Sequence, residues 1–395
     1  MTSFLQLILF LAVILTAAKA SGYISTLFKQ PSVLGELIIG LIIGPSLLDL
    51  AHLPVFAGHN LDEVIKEMAE MGVLFLMFVA GLELHLSELA HNSKVSALAG
   101  ILGVVLPIGL GWGTGLWFGF EQKQAIFLGL TLGATSVSIS AQTLMELKVL
   151  RSRVGLGLLG AAVFDDVMVI LLLSAFLALA TGSGGWLSII WIFVRMLIFL
   201  GLSIAFGMWV LPRLVHQIAR LSISQGILAL GLVVMFLYGA AAELIGGMAA
   251  ITGAFLAGLM FARSPEKEQL ERGMSALSYG LFVPIFFVNI GLSVNGRALD
   301  MSVLWLLIAI SIVAVAGKLF GAGLGAYLAG FSRRESVQLG AGMVSRGEVG
   351  LILASVGISQ QLVNQGEFSA IVGMVLITTL ITPPMLRSLF KTPQP

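Results

Sequence analysis

Apolar runs of about twenty residues follow one another along nearly the whole chain, parted only by short polar or charged segments, and no other feature constrains the fold as strongly. Hydrocarbon offers no hydrogen-bond partners, so a run buried in it must satisfy its own backbone as a helix. The runs lie near residues 4–20, 33–48, 64–84, 95–118, 125–147, 155–180, 186–211, 223–238, 245–262, 276–292, 303–328, 336–358 and 368–389. They predict an all-α polytopic membrane protein of about thirteen transmembrane helices. Apolar residues fill 58% of the 395 positions and charged residues only 10%, which leaves no chain for a large soluble domain. Cysteine is absent, so disulfides and thiol chemistry are excluded. The net charge of +1 gives no reason to expect a nucleic-acid partner.

Ala17, Ala18 and Ala20 resemble a signal-peptide cleavage site, but Met1 to Leu5 carry no Lys or Arg, so the first run is expected to be a retained helix. With the N-terminus outside, about fifteen Lys and Arg residues fall in cytoplasmic loops and about three, Lys66, Lys123 and Arg297, fall outside. A single miscounted helix would scramble that bias. The expected setting is a multi-pass protein of the inner membrane, N-terminus outside and C-terminus cytoplasmic.

An inverted repeat shows in the pattern. Five runs from residue 33 to 180 start inside, and five from 245 to 389 start outside. In each set the first run is Gly-rich and the fourth is interrupted, by GATSVSIS at 133–140 and by GMVSRGEVG at 342–350. Broken helices at matching places point to an ion or substrate site near the bilayer midplane. Thr135, Ser136 and Ser138 offer hydroxyls and freed carbonyls at the first break, hard donors that suit Na⁺ or Li⁺ with a carboxylate completing the shell.

Charges inside or at the ends of the runs are Arg195, Lys318, Arg346, Glu36, Glu83, Asp165, Asp166 and Glu348. Each needs a partner or a wet cavity, because an ionised group at membrane depth costs a few kcal/mol. Asp165 and Asp166 project about 100° apart around one helix, so one can meet a partner while the other faces a cavity. Lys318, mid-helix among glycines, is the expected partner of Asp165. Arg346 and Glu348 are expected to pair with each other or to balance freed backbone and neighbouring charges. Glu36 and Glu83 suit gating or interfacial roles, and Arg195 is expected to snorkel to an interface. The sequence holds no nucleotide loop, no His/Cys metal spacing and no nucleophile elbow, so neither an enzyme nor a bound cofactor is expected. An aspartyl intramembrane protease would need carboxylates on two helices, whereas this pair is adjacent on one.

The runs LGELIIGLIIGPSLL, FLMFVAGLEL, ATSVSIS, FDD, FFVNIGL, GKLFGAGLGA and SRGEVGLILA together resemble the bacterial sodium/proton antiporters of the monovalent cation:proton antiporter-2 family, over nearly the whole chain. The resemblance implies thirteen helices in two inverted units, with a core bundle moving against a dimerisation panel in a homodimer. It divides the chain into panel helices at 1–93, core helices at 94–181, a linker helix at 182–222, panel helices at 223–300, core helices at 301–390 and a tail at 391–395. It implies that Asp166 binds cation and proton alternately, that Asp165 pairs with Lys318, and that Na⁺ sits at Asp166 and Thr135 with Ser136 lining the site. Arg346 and Glu348 would balance the crossing helices. The Asp-Asp pair matches the electrogenic pattern of the wider superfamily. Potassium-efflux relatives carry a nucleotide-binding domain after the membrane region, and this chain stops shortly after Leu389. The expected function is electrogenic Na⁺(Li⁺)/H⁺ antiport. K⁺/H⁺ antiport, or a sodium-coupled symporter or channel on the same fold, is the alternative.

Overall fold

A computed structural model describes residues 2–28, 30–56, 61–82, 93–181, 186–293 and 301–390. It is 84% helical, with no strand among the described residues. Nine helices are long and apolar enough to cross a membrane among the described residues, and two shorter apolar helices, Ser32–Ile43 and Ala250–Phe261, accompany them. Large apolar side chains stand exposed on their outer faces, among them Phe4, Ile8, Ile312 and Phe320. In water this surface would be a heavy penalty, whereas lipid is as apolar as the side chains themselves. The chain is a multi-pass membrane protein.

In chain order the helices are α1 (Ser3–Leu27), α2 (Ser32–Ile43), α3 (Leu61–Leu82), α4 (Ser93–Trp117), α5 (Gln122–Gly133), α6 (Val137–Glu146), α7 (Arg153–Thr181), α8 (Trp186–Ala205), α9 (Leu211–Arg220), α10 (Gly226–Ala241), α11 (Ala250–Phe261), α12 (Lys267–Leu277), α13 (Val283–Leu292), α14 (Met301–Leu328), α15 (Arg333–Gly342), α16 (Glu348–Ser359) and α17 (Gln365–Phe390). A π-helical turn over Phe206–Val210 joins α8 to α9, another over Ala242–Gly246 extends α10, and a third over Ser278–Phe282 joins α12 to α13. The run expected at 276–292 therefore starts nine residues earlier, at Lys267, because the charged turns of α12 continue the apolar helix without a break.

The chain forms two compact units. One comprises Met1–Ala69, Lys94–Asp165 and Pro284–Pro395, the other Glu70–Ser93 and Asp166–Val283. In the first unit, Gly317, Gly321 and Gly325 form a stripe along α14 that lies against Pro107, the Leu102 carbonyl and the Leu98 carbonyl of α4. A Cβ on Gly321 would stand 2.5 Å from the Leu102 oxygen, so only glycine allows this approach. On α4, Gly100 lies against α7, where its Cβ would meet Phe164 Cβ at 2.6 Å. With α4 packed this closely against both, α7 and α14 come within reach of each other's side chains. In the second unit, α11 is held on two sides: Gly253 abuts the Tyr238 carbonyl of α10 and Gly258 abuts the Phe78 carbonyl of α3.

Candidate functional site

The interruption after α5 is a three-residue extended stretch, with Ala134 at φ −64°, ψ 148° and Ser136 at φ −108°, ψ 115°. Thr135 and Ser136 favour such a break because short hydroxyl side chains compete with the helical backbone for its hydrogen bonds. The second interruption spans residues 343–347, between α15 and α16. The two breaks cross in direct contact. The Ser136 N–H donates to the Ser345 carbonyl at 2.9 Å, and the Ser345 hydroxyl donates back to the Ser136 carbonyl at 2.6 Å. Ser140 donates to the Gly342 carbonyl at 2.5 Å and lies 3.1 Å from the Ser345 hydroxyl. A side chain at Gly347 would bring its Cβ within 2.6 Å of Ser136 Oγ, so the crossing requires glycine there. Ser136, Ser138, Ser140 and Ser345 are all buried, and Ser138 sits in the first turn of α6.

Broken helices leave carbonyl dipoles unpaired at the ends of α5 and α15, equivalent to partial negative charge. Arg346 meets them. Its guanidinium, fully buried, donates to the Leu132 carbonyl at 2.7 Å, the Val344 carbonyl at 2.6 Å, the Ala314 carbonyl at 3.3 Å and the Met343 carbonyl at 3.4 Å. The planar fork of donors suits several acceptors around one point. Thr379 of α17 donates to the Arg346 carbonyl in turn. Glu348 begins α16, but its side chain lies outside the described residues, as does Glu83 altogether.

Lys318 of α14 donates to Asp165 Oδ1 of α7, and the two side chains are 0% and 1% exposed. Such a pair survives burial only because each charge offsets the desolvation of the other. Asp165 Oδ2 and Thr135 Oγ1 lack a well-formed hydrogen bond, although the threonine is close enough to act on the carboxyl electrostatically. The guanidinium of Arg346 also bears on Asp165. The boundary between the compact units falls between Asp165 and Asp166. Asp166 is half-buried rather than sealed, and its Oδ2 accepts from the Thr252 hydroxyl of α11 at 3.3 Å.

Three further placements differ from expectation or add to it. Arg195 does not simply snorkel: it donates to the Ile245 carbonyl at 2.8 Å and the Leu244 carbonyl at 2.6 Å, acceptors left free where α10 ends. Glu36 is 5% exposed within α2, with Lys19 and Glu146 as its charged neighbours. Glu146 closes α6, accepting from Gln142 at 2.9 Å and from Ser32.

Carbonyl ends balanced by an arginine and hydroxyls at two crossing breaks are the features of secondary transporters with discontinuous helices, and the dry Lys318–Asp165 pair lies in the same unit. Comparison with known proteins agrees. The profile described as the transmembrane sodium/hydrogen exchanger matches residues 9–392, and the chain belongs to that family. The Na⁺/H⁺-K⁺ antiporter GerN of Bacillus cereus is 40% identical over 380 residues, covering 96% of this chain and 95% of its own. A Na⁺/H⁺ antiporter of Enterococcus hirae is 34% identical over 382 residues, covering 96% and 97%. The structure of MjNhaP1, a sodium proton antiporter from Methanocaldococcus jannaschii, superposes with a TM-score of 0.68 at 16% identity, over 98% of this chain and 97% of that one, and shares the fold. The chain is a transporter, not an enzyme.

Proposed function

We propose that this protein is an electrogenic antiporter of the monovalent cation:proton antiporter-2 branch, exchanging Na⁺ or Li⁺ for protons by alternating access. The reading rests on one observation: Lys318 neutralises Asp165 in a dry environment, while the next residue, Asp166, keeps partial exposure. One carboxylate is thus committed to structure and the other is available to exchange partners. Asp166 takes a proton or a cation, and only the neutralised form crosses the barrier at low cost, so the two ions take turns. Thr135, Ser136 and Ser138 line the cation site with oxygen donors, and Arg346 and Glu348 balance the half-helix ends. If Lys318 also releases its proton when the cation binds, two protons move against one cation and transport carries current.

In this reading the chain crosses the bacterial inner membrane thirteen times, N-terminus outside and C-terminus cytoplasmic. Two inverted repeats supply a core at residues 94–181 and 301–390, with panel helices at 1–93 and 223–300 that pair in a homodimer. GerN carries potassium in its name, which makes K⁺ the second cation to measure.

In everted vesicles, Asp166→Asn is expected to abolish Na⁺-driven dissipation of the proton gradient, and normal exchange by this variant would reject the assignment. Purified protein in proteoliposomes, given Na⁺, Li⁺ and K⁺ in turn, reports the cation. Acceleration by an imposed membrane potential supports electrogenic exchange, and indifference to potential rejects it.

A further inference from the structure

Several threonines deep within the helices bond back along their own helix. Thr114, Thr131, Thr143, Thr378 and Thr382 each donate their hydroxyl to the carbonyl four residues earlier, at 2.8–3.0 Å. This is the bond a threonine finds in an apolar helix when nothing else is offered. Thr252 has no helical carbonyl four residues back: it sits in the first turn of α11, after the left-handed Gly247 (φ 65°), and its hydroxyl goes to Asp166 Oδ2. The placement is tightly held. Thr252 is 4% exposed, and its neighbour Gly253 abuts the Tyr238 carbonyl, which sets the rotation of α11 about its axis. Gly258, against the Phe78 carbonyl, holds the same helix one and a half turns further on.

We propose that Thr252 is a specificity-determining residue of the exchange, an oxygen ligand brought to the Asp166 cation from α11 rather than from either broken helix. A hydroxyl has one hydrogen to give and two lone pairs to offer. Thr252 donates to Asp166 Oδ2, the bond an ionised carboxylate accepts. When a cation arrives, rotation about one bond turns a lone pair toward it, and the oxygen joins the shell at no cost in backbone movement. A small hard cation gains most from an added hydroxyl oxygen, so the residue favours Li⁺ and Na⁺ over K⁺. This inference rests on the reading of Asp166 as the exchanging carboxylate.

The test compares Thr252→Val, which keeps the shape without the hydroxyl, with Thr252→Ser, which keeps the hydroxyl, in proteoliposomes supplied with Na⁺, Li⁺ or K⁺. The valine variant is expected to raise the apparent KM for Na⁺ about tenfold, the magnitude of one lost bond to a charged group. Its maximal rate should stay within about twofold, with a smaller loss for K⁺, and the serine variant should behave as wild type. An unchanged KM in the valine variant overturns the proposal, as does an equal rise in both variants, which would mark a packing role. Should the valine variant fail to accumulate, Thr252→Ala takes its place, with Na⁺ binding to the detergent-solubilised protein measured by calorimetry and the same two outcomes. Loss of exchange in Asp166→Asn alongside normal behaviour of Thr252→Val would remove Thr252 alone; retained exchange in Asp166→Asn would remove the underlying reading.

Discussion

Glu146, the last residue of α6, accepts both the backbone N–H of Ser32 at 2.7 Å and its hydroxyl at 2.5 Å, so the second half of a broken helix is tied to the first turn of α2. A carboxylate at a helix start supplies acceptors to donors that the helix itself leaves unsatisfied, and its charge suits the positive end of the helix dipole. Ser32→Ala removes one of the two bonds and is expected to lower stability by about 0.5–2 kcal/mol, the range for a lost helix-start partner. Glu146→Ala removes both and should cost more. Thermal unfolding of the detergent-solubilised variants measures this, and equal melting of wild type and both variants would show the tie to be idle.

Lys318 and Asp165 are each expected to be costly to leave without the other. Removing either one leaves an uncompensated charge away from water, at about 3–5 kcal/mol. Lys318→Ala and Asp165→Asn should each melt well below wild type. The double change Asp165→Asn with Lys318→Met leaves no charge behind, so it should be more stable than either single variant. A double variant as unstable as the two losses added would mean that the pair contributes nothing as a pair.

Two glycines provide a matched comparison. Gly347→Ala places a methyl group 2.6 Å from Ser136 Oγ and 2.8 Å from Ser136 Cβ, and should cost about 1–3 kcal/mol as an overpacked core site, with loss of exchange. Gly201→Ala, on α8 where a Cβ meets nothing within 4 Å, should stay within about 0.5 kcal/mol of wild type. Equal tolerance of both changes, read as melting temperature and transport rate, would contradict the tight crossing of the two breaks.

Charge at membrane depth was the legible signal, because a buried ionised group demands an explanation from the sequence alone. Asp165 and Lys318 each stood in apolar surroundings, and the structure brings them together. Arg346 was legible as a charge needing acceptors, but the acceptors proved to be four main-chain carbonyls, which carry no side-chain signature. Thr252 is neutral and small within an apolar run, so only the three-dimensional fold shows that its hydroxyl faces a carboxylate. Glu146 closes an apolar run, where a charge needs no special account, and its meeting with Ser32, distant in the chain, depends on packing that hydropathy does not encode. The π-helical turns were invisible for a related reason: an inserted residue leaves composition unchanged while shifting the phase of every residue beyond it.

The contact between Gly347 and Ser136 has a mechanical consequence. With main chain hydrogen-bonded to main chain and no room for even a methyl group between them, neither half-helix pair can slide or pivot against the other without tearing the join. The crossed segments therefore behave as one stiff part, like a welded axle. On the proposed alternating-access reading, softer surroundings accommodate the movement and the weld is carried along whole.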